Sequence, residues 1–124
     1  MKSSRTLKGV GVDLMRVSRA KKFLKKNGMK SVLRLFSKAE LASLRGKRLT
    51  PVQFAKFFSA KEAFFKATGG AWMGFEGFSN IEVRCLPRDR FKVHSYAGKQ
   101  IRGKAEGNFL CGPGWIGARL VFWK

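Results

Sequence analysis

Two acidic residues and two lysines have the types and the spacing that phosphate chemistry requires. Asp13 lies inside an apolar run, where strand propensity disfavours aspartate, so its position needs another reason. Glu62 and Lys66 are four residues apart and therefore share one side of a helix. Two carboxylates, completed by water and phosphate oxygens, commonly hold Mg²⁺. We therefore interpret Asp13 and Glu62 as a candidate metal pair, with Lys61 and Lys66 flanking the phosphates.

The same residues also have an ordinary structural explanation. Glu62 and Lys66 could form an ion pair on a helix surface, worth a few tenths of a kcal/mol. Asp13 could cap or pair at the end of a strand. The two explanations differ in one geometric respect, because a metal pair requires Asp13 and Glu62 to meet where the strand crosses the helix.

The charge of the chain indicates an anionic partner. Of its 124 residues, 27 are Lys or Arg and 7 are Asp or Glu, which gives a formal net charge of +20. Such a field attracts nucleic acid, a phosphorylated small molecule or an acidic protein. Charge alone does not choose among these three classes.

The composition predicts a single domain over residues 1–124. Hydrophobic residues make up 44% of the chain and include 12 Phe and 3 Trp, which suffices for a core. No apolar run approaches the ~18 residues that a membrane span needs. Cys85 and Cys111 are too few for a disulfide framework and lack metal-ligand spacing, so we expect a reduced, cytoplasmic protein.

Hydrophobic periodicity predicts a strand followed by helices in the first half of the chain. Residues 8–14 alternate, so Val10, Val12 and Leu14 share one face while Gly11 and Asp13 share the other. A short helix over 17–27 should end at Asn27-Gly28, with one or two further helical turns over 29–36.

Two capping boxes predict the next two helices. Ser37 with Glu40 should start a helix that runs to about Leu44, and Thr50-Pro51 with Gln53 should start a longer one that ends at Gly69-Gly70. On the longer helix, Glu62 shares a stripe with two aromatic residues that we expect to enter the core, Phe58 and Phe65.

The second half of the chain predicts an antiparallel sheet. A glycine-rich loop over 69–77 is followed by expected strands over 78–86, 91–96 and 115–123. The fold class that results is α+β, with an antiparallel sheet, one long helix and short helices in a single domain.

Four ordered segments resemble the motifs of a known family, the holo-[acyl-carrier-protein] synthases, which are small 4'-phosphopantetheinyl transferases. The N-terminal motif, the second motif, the signature helix and the glycine loop with its strand occur in the family's order. The matching segments are GVGVDL at 9–14 with Arg19 after it, FSKAE at 36–40, FSAKEAFFKA at 58–67, and Gly69-Gly70 followed by FSNIEV at 78–83.

The resemblance implies a 4'-phosphopantetheinyl transferase-like fold and a homotrimer with active sites between subunits. It implies Mg²⁺-dependent transfer of 4'-phosphopantetheine from coenzyme A to a serine of an apo acyl carrier protein, with 3',5'-ADP as the other product. The implied partners are therefore coenzyme A and the carrier protein, and nucleic acid is not expected.

The resemblance also implies roles for individual residues. The residues matching Asp13 and Glu62 hold Mg²⁺ in the family, and the lysine matching Lys66 lies at the reacting phosphates. Either Glu62 or a water on the metal would take the serine proton. The remaining assignments are Lys61, Lys66, Gly69 and Gly70 to coenzyme A, and Arg16, Arg19 and Lys22 to the carrier protein.

Two departures from the family pattern keep other functions open. Many members carry Ser-x-Ser-His before the last strand, whereas residues 108–111 contain no histidine, and Phe57 stands where Arg is common. One alternative is therefore a catalytically degenerate member. Another is a basic nucleic-acid-binding α+β domain, but it leaves Asp13 and Glu62 unexplained because acids repel a polyanion.

Overall fold

The structure, a computed structural model, describes residues 6–70, 75–96 and 103–124. Three helices and five strands make up most of these residues, so the predicted α+β class is confirmed. None of the described helices is long and apolar enough to cross a membrane. The elements are β1 (Leu7–Arg16), α1 (Val17–Leu33), α2 (Lys38–Ser43), α3 (Pro51–Ala67), a 3₁₀ helix (Phe75–Asn80), β2 (Ile81–Leu86), β3 (Arg90–Ser95), β4 (Lys104–Gly112) and β5 (Trp115–Trp123).

The five strands form one antiparallel sheet in the order β1-β5-β4-β3-β2. The first strand therefore pairs with the last, and Asp13 lies opposite Ala118 in their register. α3 packs across one face of the sheet and contacts β1, β5, β4 and β2. The core lies between α3 and this face, as one continuous apolar cluster.

Local signals place the helix ends where the sequence predicts them. Gly28 has φ 72° and ψ 154°, so it interrupts α1 at the predicted stop. Ser37 and Glu40 form the reciprocal capping box of α2, and Thr50 and Gln53 form that of α3. These ends are predictable because each depends on residues no more than three positions apart.

The strand predicted over 78–86 begins later than expected. Residues 75–80 form a 3₁₀ helix, and pairing with β3 starts at Ile81. Phe78 is buried, and its ring meets that of Phe58 edge-on at 5.6 Å. This contact with α3 explains why the backbone stays off the sheet until residue 81. Residues 71–74 of the predicted glycine-rich loop lie outside the described residues.

The buried face of α3 is rotated from the predicted one. Phe57, Lys61 and Phe64 are buried, whereas Phe58, Glu62 and Phe65 are half-buried. The predicted stripe therefore lies at the edge of the core, which Phe58 contacts. The cause is the side of the helix on which β1 packs. That side carries alanines, including Ala63 and Ala67.

Glycines let β1 lie directly against the backbone of α3. A Cβ at Gly11 would overlap the carbonyl oxygen of Ala63, and one at Gly9 would overlap that of Ala67. The predicted alternation is therefore present, and its glycine face is the one that meets the helix. Val12, on the opposite face, is 54% exposed.

We expect Gly11→Ala to destabilise the protein by about 3 kcal/mol, because the added methyl forces strand and helix apart. The measurement is the free energy of unfolding in urea. Gly46→Ala is the control, since Gly46 has φ 76° and open space around it, so only backbone strain of about 1 kcal/mol applies. An equal loss in the free energy of unfolding for the two variants would contradict the close contact between β1 and α3.

Candidate metal and phosphate site

The crossing of β1 over α3 brings the predicted metal pair and its lysine together. Lys66 Nζ lies 3.2 Å from Asp13 Oδ1 and donates a hydrogen bond to the carbonyl of Val12 at 3.0 Å. The Asp13 side chain is 17% exposed and that of Lys66 is 51% exposed. A pair this open adds little stability, so its value lies in holding charges at an accessible surface.

Glu62 completes the cluster from the half-buried flank of α3. Burial raises the pKa of the Glu62 carboxyl, and the nearby charge of Asp13 raises it further. Lys66 and Arg19 act in the opposite direction on the same pKa. The charges of Asp13 and Glu62 therefore interact across the crossing of β1 and α3.

The donor set fits a hard divalent cation. Carboxylate oxygens are the ligands that Mg²⁺ prefers, and a cation between Asp13 and Glu62 would relieve their repulsion. The described part of the chain contains no group of three or more His, Cys, Asp or Glu side chains that could hold a metal. Two carboxylates alone leave most of the coordination sphere to water and substrate oxygens, which is how Mg²⁺ is usually bound to phosphates.

Gly69 and Gly70 follow directly after α3, one turn beyond the site. Both have positive φ, 81° and 67°, so the chain reverses there in the left-handed conformation. The Gly69 amide still donates to the carbonyl of Lys66 at 3.4 Å, which links the turn to the residue that pairs with Asp13. A Cβ at Gly70 would overlap the Phe65 ring, whereas Gly69 is exposed with open space beside it.

Lys61 requires a correction, because the structure places it inside the protein and away from any phosphate. Its side chain is 1% exposed. The ammonium donates to Glu40 Oε1 at 2.7 Å and to the carbonyls of Leu35 at 2.8 Å and Phe78 at 2.7 Å. All three donors are thus used within the protein. Burial lowers the pKa of Lys61, while the charge of Glu40 acts to raise it.

Glu40 caps α2, as the sequence predicts, but its pairing with Lys61 was not predicted. Its Oε1 accepts from the Ser37 amide at 2.8 Å and from Lys61, and its Oε2 accepts from the Val83 amide at 2.7 Å. A signal was available in the spacing of α3. Phe57, Lys61 and Phe64 follow the four-then-three spacing of one helix face, which predicts a buried ammonium that needs an acid.

The residues predicted to contact a partner lie along the start of α1. Arg16 precedes the helix, and Arg19 and Lys22 are exposed on it. Arg19 is close enough to Glu62 to affect its pKa, so the basic surface reaches the candidate site. Beside this surface a leucine-lined groove of about 860 Å³ runs between α1, α2 and the start of α3. Of its described lining residues none is acidic, and four are cations: Lys21, Lys25, Lys47 and Arg48.

Comparison with known proteins identifies the family of the chain. Residues 9–111 match the model of a family described as the 4'-phosphopantetheinyl transferase superfamily, and this range includes every residue of the site. The chain belongs to that superfamily.

Within the superfamily, the chain is similar in sequence and in fold to several named proteins. Over 77 residues it is 40% identical to a holo-[acyl-carrier-protein] synthase from Clostridium acetobutylicum, a match that covers 62% of this chain and 60% of the relative. The crystal structure of a holo-ACP synthase from Plasmodium yoelii shares the fold, with a TM-score of 0.80 and 22% identity over 98% of both chains. A holo-(acyl-carrier-protein) synthase from Bacillus anthracis, solved in complex with CoA (3',5'-ADP), gives a TM-score of 0.73 and 26% identity, covering 95% of this chain and 97% of that one.

The two departures from the superfamily pattern lie away from the carboxylate pair. Phe57 is buried and meets the Phe36 ring edge-on at 5.4 Å, so it serves the core. Residues 108–111 belong to β4, where Asn108 pairs with Arg119 of β5. The sole histidine, His94, is exposed on β3 and contacts the ring of Tyr96.

We expect Glu62 to make this superfamily member less stable as pH rises. A raised pKa means that the folded state binds more protons than the unfolded chain, so stability falls from the ordinary glutamate range up to the raised pKa. Glu62→Gln, which stays neutral, should therefore gain in melting temperature over wild type as pH increases through that window.

The measurement is a series of thermal melts without divalent ions, repeated with Mg²⁺. Added Mg²⁺ should reduce the difference in melting temperature between Glu62→Gln and wild type, because a cation between the carboxylates favours the ionised form of Glu62. Glu106→Gln, at an exposed acid of β4, controls for the amide substitution itself. A difference between Glu62→Gln and wild type that stays constant with pH would contradict the assignment.

Proposed function

We propose that this chain, as a single domain over residues 1–124, transfers 4'-phosphopantetheine from coenzyme A to a serine of an apo acyl carrier protein, with Mg²⁺ and with 3',5'-ADP as the other product. The observation that carries the proposal is the meeting of Asp13, Glu62 and Lys66 at one accessible crossing in a member of this superfamily. The names of the relatives and the coenzyme A bound in the Bacillus anthracis synthase support the same reaction.

In this mechanism Asp13 and Glu62 would hold Mg²⁺ against the diphosphate of coenzyme A. The metal would supply charge neutralisation there and assist departure of 3',5'-ADP. Lys66, whose ammonium is half-exposed at the pair, would stabilise the charge that develops on the phosphate oxygens. The left-handed turn at Gly69 and Gly70 leaves room for the donor beside Lys66.

Proton transfer from the carrier serine needs a base at the same crossing. Glu62 lies at this crossing, and a water on the bound metal would lie there too. In the family pattern a histidine precedes the last strand, and this chain has none at 108–111. The base in this proposal is therefore Glu62 or a water on the metal.

The basic start of α1 fits an acidic carrier protein. Arg16, Arg19 and Lys22 present exposed cations that continue toward Glu62, so a carrier bound there would bring its serine to the site. The neighbouring leucine groove with its cationic rim suits the apolar face of an acidic helix. The net charge of +20 would also accelerate the encounter with an acidic partner.

An uncovered apolar strand face supports assembly into the homotrimer that the family resemblance implies. Val10, Val12 and Leu14 point away from α3 and are 54–63% exposed, and Val121 of β5 lies beside Val10 at 39% exposure. Contiguous apolar surface of this kind marks a contact between proteins. We propose that it packs against other copies of the chain.

The decisive test is the intact mass of an apo acyl carrier protein after incubation with the protein, coenzyme A and Mg²⁺. We expect a phosphopantetheine mass gain that EDTA abolishes. Asp13→Asn and Glu62→Gln should each slow the gain by about 100-fold or more, because each removes a carboxylate that would hold Mg²⁺ at the reacting phosphates.

Asp89→Asn, which changes an exposed acid in the turn between β2 and β3, should retain wild-type activity. A folded wild-type protein that modifies none of several carriers would refute the proposed reaction. Binding of nucleic acid would then be measured next, as the other function that the charge allows.

We expect Val12→Asp to dissociate the assembly, because each copy would place a charge in the apolar contact. Light scattering after gel filtration should give three chain masses, about 42 kDa, for wild type and one, 14.0 kDa, for the variant. Val52→Asp is the control, since Val52 is 42% exposed at the start of α3, where an acid is tolerated. A wild-type protein that elutes as a monomer would contradict the trimer.

A further inference from the structure

The buried ion pair of Lys61 and Glu40 holds α3 at a point directly beside the candidate site. The Lys61 ammonium reaches the end of α1 at Leu35 and the 3₁₀ helix at Phe78, while Glu40 reaches β2 at the Val83 amide. One pair of side chains thus joins α3 to four separate parts of the fold. The contact also includes the Phe36 ring, 5.3 Å from the ammonium.

Stability alone does not account for this pair. Removing two charges from water costs several kcal/mol per ion, and well-packed neutral side chains often give equal or greater stability at such positions. The Lys61 side chain is 1% exposed and that of Glu40 is fully buried, so this cost applies in full to both. What neutral side chains do not supply is a set of directed hydrogen bonds that fix one orientation of the helix.

The geometry of α3 connects this orientation to Glu62. Glu62 is the next residue after Lys61 and lies about 100° around the helix from it. On a third side of α3, the carbonyls of Ala63 and Ala67 contact the glycines of β1. A rotation of α3 that moved Glu62 away from Asp13 would therefore have to break the bonds of Lys61.

We propose that Lys61 and Glu40 are positioning residues, which set the rotation of α3 so that Glu62 faces Asp13 across the crossing. The inference rests on the proposed function, because it assigns the pair to the metal site of that reaction. Neither side chain touches substrate. Both act through Glu62.

The test replaces both charges at once with the double variant Glu40→Gln, Lys61→Met. Met has a length similar to Lys, and Gln keeps an oxygen for the Val83 amide, so the variant is expected to fold. The structure of the variant, superposed on wild type through the sheet, should show Glu62 displaced by more than about 0.5 Å relative to Asp13. Coincident positions of Glu62 would overturn the proposal.

Metal binding gives a second readout that needs no turnover. Mn²⁺ is titrated by electron paramagnetic resonance in the presence of coenzyme A and without carrier protein. We expect the Mn²⁺ dissociation constant of the double variant to rise about tenfold or more, as for other residues that orient metal ligands. Phe91→Leu is the control, because it weakens the core where β3 meets β4 through the Phe91–Phe109 ring contact and changes no hydrogen-bond partner of Lys61 or Glu40.

Kinetics separate positioning from general loss of structure. In the double variant kcat should fall and the half-saturating Mg²⁺ concentration should rise, while KM for the carrier protein stays within about twofold, because the α1 surface is unchanged. Wild-type Mn²⁺ affinity and kcat in the folded double variant would overturn the proposal. A wild-type protein that binds no Mn²⁺ and transfers nothing would refute the proposed function but not the positioning role. That role is still decided by whether Glu62 moves between the wild-type structure and the structure of the double variant.

Discussion

The contact of the β1 backbone with the α3 backbone is the constraint on which the rest of the structure depends. Because Gly9 and Gly11 carry no side chains, the strand lies against the carbonyls of Ala67 and Ala63. Asp13 is the next residue on the same face and is the first to carry a functional group. The closeness of its carboxylate to Glu62 and Lys66 therefore follows from two missing side chains further back along the strand.

Much of the fold could be predicted because its signals are local. The capping boxes at Ser37 and Thr50 and the stop at Gly28 each involve a few neighbouring residues. The candidate site was also visible, since Asp13 is out of place in a strand and Glu62 lies four residues from Lys66. The start of β2 was not predictable, because the ring contact between Phe78 and Phe58 that delays it joins residues far apart in the chain.

The orientation of α3 could not be derived from its own sequence. Lys61 and Glu62 are adjacent, and each has aromatic residues three or four positions away, so either could face the core. The choice depends on Glu40, which lies 21 residues earlier, and on the glycines of β1. The alternation of β1 had the same limit. The alternation predicts that β1 has two faces, but only the packing of α3 decides that the face with Val12 is the exposed one.

The pairing of β1 with β5 determines when the sheet beside the site can close. Asp13 leaves the ribosome about a hundred residues before Ala118, its partner in the sheet. Closing so long a loop is entropically costly and slow, and the helices between can form first. The direct contact of β1 with α3 can form earlier, but β1 gains its only strand partner in the described sheet once β5 has been synthesised.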